Sequence, residues 1–277
     1  MELHSRGRIL QIKKKTGIVG VINVTPDSFV AASRAQTEKD ILSLARECID
    51  GGADILEIGG ESTGPTSQDV SLADELDRVL PAVTLLRKNF PQCWIAVDTY
   101  KSEVAREVLA AGADMINDVT AGRGDREMFT VLAEAQCPVT LMYAKDFSAR
   151  TTIADTHYDD VIRTISAFLS ERIAAAKKAG ITQIIVDPGL GHFVSSDPVV
   201  SWEILTRLSE LAALGHILVS PSRKSFLAGP TRLPPIERLP ATIAASCLAS
   251  LNGATFIRTH DVRHTRFSLD AVSHILR

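Results

Sequence analysis

The chain has 277 residues, 45% hydrophobic and 23% charged, which suits a globular protein with one large or two small folded units. A formal net charge of −3 excludes a strongly basic surface of the kind that grips nucleic acid or an anionic membrane. The leading MELHSRGRILQIKKK has no apolar stretch of signal-peptide length, and no later apolar run is long and unbroken enough to cross a bilayer, so a cytoplasmic protein is expected.

In chain order, residues 1–15 form an N-terminal extension, suited to a short hairpin that closes one end of the fold. Eight short apolar runs come next, at Ile18–Ile22, Ile55–Ile58, Trp94–Val97, Asp114–Ile116, Val139–Met142, Ile184–Val186, Ile217–Val219 and Thr255–Ile257. Continuous apolar runs of this length read as strands buried on both faces. Helical patterns lie between most of them, among them EKDILSLARECIDGG, SEVAREVLAAG and YDDVIRTISAFLSERIAAAKKAG. One local form recurs in DGGADILEIGG, AAGADMINDV, KAGITQIIVDPG and LNGATFIRTHDV: a helix end, a glycine, an apolar run, then a polar group. Glycine is favoured just past a helix end because it accepts the left-handed conformation. Residues 226–240 carry four prolines and read as a long loop before the last helix.

Eight βα units with no long linker predict a (β/α)8 barrel spanning 1–277 as a single domain. A doubly wound open sheet is the alternative, but no G-x-G-x-x-G follows the first run. The cysteines at 48, 93, 137 and 247 form no Cys-x-x-Cys pair and sit among apolar neighbours, so buried free thiols are expected.

A barrel of this kind places its chemistry at the C-terminal ends of the strands. The residues after the successive runs are Asn23, Thr25, Asp27 and Ser28; Glu61, Ser62 and Thr63; Asp98 and Thr99; Asn117 and Asp118; Tyr143; Asp187; Arg223 and Lys224; and Arg258 and His260. Each group alone suits turn or capping chemistry, and Asp98-Thr99 could cap the next helix. Together they form a ring. One side, with Asp98, Asn117 and Asp187, suits a flat heterocycle rich in N–H groups. The other, with Lys224, Arg258 and His260, suits phosphate, for which Lys and Arg provide charge-assisted hydrogen bonds.

Seven stretches in order resemble the dihydropteroate synthase family: NVTPDSF (23–29), GADILEIGGEST (52–63), VDT (97–99), IND (116–118), DPGLG (187–191), SRKSF (222–226) and RTHDV (258–262). The resemblance covers roughly residues 16 to 277. It implies a transferase of folate biosynthesis that joins 6-hydroxymethyl-7,8-dihydropterin diphosphate to p-aminobenzoate and releases diphosphate. It further implies that Asp98, Asn117, Asp187 and Lys224 bind the pterin. Asn23, Arg258 and His260 would hold the diphosphate, with Asn23 also a ligand of Mg2+, and Thr63, Ser225 and His192 would meet p-aminobenzoate. Asp98, Lys224 and Arg258 would carry the catalysis, and the family is usually a homodimer.

Four departures fall mostly on the acceptor side. Gly64 stands where the family has Arg after Ser-Thr, His192 and Val194 stand where an aromatic and a lysine are usual, Tyr143 replaces a His, and the first loop reads SFVAASR. GHFVS is similar to the sulfonamide-resistance branch of the family, which likewise lacks the second-loop Arg. Arg34 and Arg123 are the loop arginines placed to supply that charge. A paralogue coupling a pterin to another amine, or a methyl-tetrahydrofolate-binding barrel, would share the pterin pocket.

Overall fold

The computed structural model describes residues 1–14, 16–25 and 37–276, so Asp27, Ser28 and Arg34 lie outside the described residues. Strands β1 (Glu2–Ser5) and β2 (Arg8–Gln11) pair antiparallel as a hairpin. Next come β3 (Gly17–Asn23), α1 (Glu38–Asp50), β4 (Ile55–Gly59), α2 (Leu72–Asn89), β5 (Trp94–Asp98), α3 (Ser102–Ala111), β6 (Met115–Asp118), α4 (Met128–Ala135) and β7 (Val139–Met142). The chain continues through α5 (Val161–Ala179), β8 (Ile184–Asp187), α6 (Pro198–Thr206), β9 (His216–Val219), α7 (Leu239–Leu251), β10 (Phe256–Thr259) and α8 (Val262–Val272).

Strands β3 to β10 close in parallel into an eight-stranded barrel, and β10 pairs back onto β3 with Phe256 opposite Gly17. The expected (β/α)8 architecture is therefore present. Every apolar run became a strand, with ends displaced by a residue or two; the fourth runs Met115–Asp118 rather than Asp114–Ile116. Helix boundaries follow local chemistry. Thr37 and Asp40 form a reciprocal capping box at α1, Asp160 accepts from the Arg163 N–H at α5, and Gly112 and Gly180 end α3 and α5 in the left-handed conformation. The proline-rich stretch corrects the expectation. It holds two 3-10 turns, Ser225–Ala228 and Pro235–Glu237, and leads into α7, with α8 still to come. All four cysteines are free; Cys48 and Cys137 are buried, whereas Cys93 and Cys247 are only half-buried.

Alternate residues of each strand face the barrel axis. At the bottom these are apolar. Val19, Ile55, Trp94, Met115, Ile185 and Phe256 pack into one cluster, which Leu3 and Ile12 of the N-terminal segment close from below. The intervening residues, such as Ile58, Val97, Ile116 and Val186, pack outward against the helices in a second, larger cluster. Two or four residues further up the strands, the same inward parity turns polar.

Candidate active site

Continuing the inward count gives Asn23 on β3, Glu57 on β4, Asp98 on β5, Asn117 on β6, Thr140 on β7, Asp187 on β8 and Arg258 on β10. The upper barrel interior is thus a ring of polar groups standing on an apolar floor. Above it opens a cleft of about 430 Å³. Asn23, Thr63, Asp98, His192, Lys224, Ser225, Arg258 and His260 all line it. Asn117 and Asp187 are almost fully buried, at 4% and 2% exposure.

The centre of the ring is a three-group ion pair. The Arg258 guanidinium donates to Glu57 and, at 2.8 Å, to Asp98 Oδ2. Burial pushes the Asp98 carboxyl up to about 7; Arg258 opposes the shift, and the neighbouring Glu57 charge reinforces it. Asp98 is therefore not a helix cap: Ser102 at the start of α3 donates instead to Asp125, at 2.8 Å. Glu57 escaped the sequence reading because it lies inside an apolar run rather than after it. A lone carboxylate within ILEIG was the available signal, since a charge inside a buried strand needs a partner.

Asn117 and Thr140 are paired in register on adjacent strands, and the buried Asn117 Oδ1 and Thr140 Oγ1 have no hydrogen-bond partner among the described residues. Buried polar atoms are rarely left so. Two of them side by side within the ring of inward polar groups mark where a polar ligand would complete the bonding. Asp187 Oδ1 accepts from the Gly189 N–H at 2.7 Å, and burial raises its carboxyl above the usual range against the pull of Lys224. Burial likewise lowers the Lys224 ammonium to about 8, with Asp187 opposing, and its Nζ stands 5.0 Å over the Phe193 ring.

The turn holding Asp187 depends on Gly189, whose φ is +70°; a Cβ there would collide with the Tyr143 carbonyl oxygen. Gly189→Ala is expected to destabilise the protein by about 1–3 kcal/mol through backbone strain alone. A urea unfolding curve measures it; an unchanged midpoint would show that the turn accommodates a side chain.

The basic half of the ring differs from expectation in three places. His260 Nδ1 lies 2.9 Å from Ser222 Oγ, and burial, reinforced by Arg258, lowers its imidazole to about 3, so it is a neutral group at pH 7. Arg258 carries the charge, already shared by two carboxylates. Arg223 is neither solvated nor free: it is bidentate to Asp261 at 2.9 and 2.6 Å and donates to the Pro235 and Ile236 carbonyls, holding a φ of +56°.

Tyr143, read as part of the mouth, instead packs edge-on to Phe168 in the outer core. Val194 is fully buried in the same core cluster. Arg123 does not replace the missing second-loop charge. It donates to the Thr120, Ala144 and Asp146 carbonyls, stacks on Phe168 and does not line the cleft. Arg78 donates to the Gly60 carbonyl at the start of the second loop, and Arg150 reaches further into it, donating to Glu61 Oε1 and Ser67 Oγ, both at 2.9 Å.

A family model described as pterin binding enzyme matches residues 19–260. Dihydropteroate synthase of Synechocystis is 37% identical over 90% of this chain and 86% of its own length, and that of Bacillus subtilis is 35% identical over 94% and 89%. Among solved structures, the Xanthomonas albilineans dihydropteroate synthase with 4-aminobenzoic acid superposes with a TM-score of 0.89 at 36% identity, covering 99% of this chain and 98% of that one. The Coxiella burnetii dihydropteroate synthase in complex with pteroic acid gives a TM-score of 0.89 at 34% identity, with coverage of 99% and 98%. A chain with this barrel, this ring of inward polar groups and relatives matched nearly end to end belongs to the dihydropteroate synthase family of pterin-binding enzymes.

Proposed function

We propose that this chain condenses 6-hydroxymethyl-7,8-dihydropterin diphosphate with p-aminobenzoate, releasing diphosphate, as a transferase of folate biosynthesis. The observation that carries the reading is the unpartnered pair Asn117 Oδ1 and Thr140 Oγ1, flanked by Asp98 and Asp187. A pterin presents several N–H groups in one plane and can satisfy them together. Lys224 would donate to the ring from the opposite side. Arg258, His260 and Asn23 line the part of the cleft suited to the diphosphate. Thr63, Ser225 and His192 border the acceptor side.

Loss of diphosphate leaves positive charge on the pterin methylene, and the Asp98 carboxylate lies in the wall to offset it. Arg258 offers charge to the leaving group from its place between Glu57 and Asp98. The acceptor, an aniline, is already neutral at pH 7, so no strong base is needed.

Mg2+ belongs to the same proposal. It takes oxygen ligands and is commonly held by one or two protein groups plus phosphate oxygens. Among the described residues no group of three or more His, Cys, Asp or Glu could hold a metal ion. The amide oxygen of Asn23 fits a single ligand to an ion carried in by the diphosphate. When bound, the ion would neutralise charge on the departing diphosphate.

A cytoplasmic homodimer of single-domain chains completes the proposal. Among the described residues no helix is long and apolar enough to cross a membrane. The homodimer follows from the family resemblance.

The test is diphosphate release by purified protein with Mg2+ and dihydropterin diphosphate, with and without p-aminobenzoate. Amine-dependent release is the expected result. Pterin binding without it would mean that Gly64, His192 and Val194 have moved the enzyme to another amine.

A further inference from the structure

Residues 144–156, in the loop between β7 and α5, are bonded at once to the loop after β4 and to the loop after β8. Toward the loop after β4, the Thr151 backbone N–H donates to the Thr63 carbonyl at 3.2 Å. The Arg150 guanidinium adds its bonds to Glu61 and Ser67, one to the Gln68 carbonyl and an ion pair with Asp69. Toward the loop after β8, Thr151 Oγ1 donates to the His192 carbonyl at 2.7 Å and the Lys145 N–H donates to the Phe193 carbonyl at 2.9 Å. The Ser196 N–H donates to the Ala154 carbonyl at 2.8 Å, and the Thr156 N–H to Ser195 Oγ at 3.0 Å. Asp146 fixes the loop's own shape by accepting from the Lys145 ammonium and the Thr152 backbone N–H.

Thr151 is 3% exposed although it sits in a surface loop, and it and Ile153 line the cleft together with Thr63 and His192. The bonds to the loop after β4 fall on residues 61–69, to either side of Gly64. Loops of this length normally keep conformational freedom that a ligand must then remove. Here the two walls of the acceptor side are tied to a common segment before any ligand arrives.

We infer that residues 144–156 are a strap that preforms the amine-acceptor subsite, with Arg150 and Thr151 as its positioning residues. This rests on the acceptor side proposed above. Arg150 touches neither the pterin wall nor the ion pair around Arg258. Its removal leaves Glu61 still paired with Lys101, so no buried carboxylate is orphaned.

Arg150→Met and Arg150→Lys, with Thr151→Val as an independent second variant, test it by three readouts. Arg150→Met is expected to raise the KM for p-aminobenzoate about tenfold or more, the order of one lost charge-assisted bond, with pterin affinity by calorimetric titration within about twofold. Residues 61–70 should exchange amide hydrogens faster in Arg150→Met, and Arg150→Lys should restore part of both effects. Thr151→Val should loosen residues 191–196. An unchanged acceptor KM, unchanged exchange at 61–70, or an equal loss of pterin affinity would overturn the strap. Exchange and pterin titration need no turnover. A wild-type protein without amine-dependent release would therefore refute the synthase reading while the exchange data still decide the strap.

Discussion

Replacing Arg258 by methionine is expected to lower the unfolding free energy by about 3–5 kcal/mol and to abolish amine-dependent diphosphate release. Arg258 faces two carboxylates inside the barrel, Glu57 at 2% and Asp98 at 16% side-chain exposure. Methionine fills a similar length of space but leaves Glu57 a buried charge without a counter-charge, and removing one member of such a group costs far more than removing all of it. The double variant Glu57→Gln/Arg258→Met should therefore recover much of the stability while remaining inactive. Urea unfolding read beside diphosphate release separates the two effects. A loss below about 1 kcal/mol, the range of an exposed pair, would show that water or a proton reaches Glu57 freely.

The second large effect is a pH dependence carried by Lys224. Burial lowers its ammonium to about 8, from an ordinary value of 10.5. If the charged form grips the pterin, the Lys224 contribution to affinity should be constant below about pH 8 and fall about tenfold per unit above it. Lys224→Met should weaken pterin binding roughly 10- to 100-fold at pH 7, the worth of a hydrogen bond to a charged group, and erase the alkaline fall. Stability should move the other way. Between about 8 and 10.5 the unfolded chain holds a proton that the folded one has released, so folding becomes more favourable as pH rises through that window. Lys224→Met should flatten this rise. Calorimetric titration and urea midpoints, both taken across that pH range, check it. An alkaline fall that persists in the variant would assign the titration to another group.

The barrel was legible because both faces of its strands are buried, so each strand announces itself as an unbroken apolar run. Asp98, Asn117, Asp187, Lys224 and Arg258 were found just past the ends of such runs, since the inward parity turns polar at strand ends. The same rule passed over Glu57 and Thr140, which lie within their runs, and admitted Tyr143, whose position after a strand does not say which way it points. Charge was the weaker part of the reading. His260 looks basic by type, but desolvation beside Arg258 keeps it neutral. The link from Arg258 to Glu57 spans 201 residues and that to Asp98 spans 160, distances over which no local pattern speaks. Arg150 was invisible for the same reason, its partners lying 81 to 89 residues back along the chain.

The closure of β10 onto β3 bears on how the molecule comes into being. A chain emerging from the ribosome exposes β3 long before β10 exists, and early domains begin to fold during synthesis. Until Phe256 meets Gly17, the open sheet has two unpaired edges, and Glu57 faces the interior with its guanidinium not yet made. Contacts this far apart in sequence form late. Arg258 arrives on the same strand that seals the barrel, so the step that completes the wall also neutralises its buried carboxylates. A nascent barrel thus acquires its reactive centre and its last structural seam in one event, and a shortened chain would lack both.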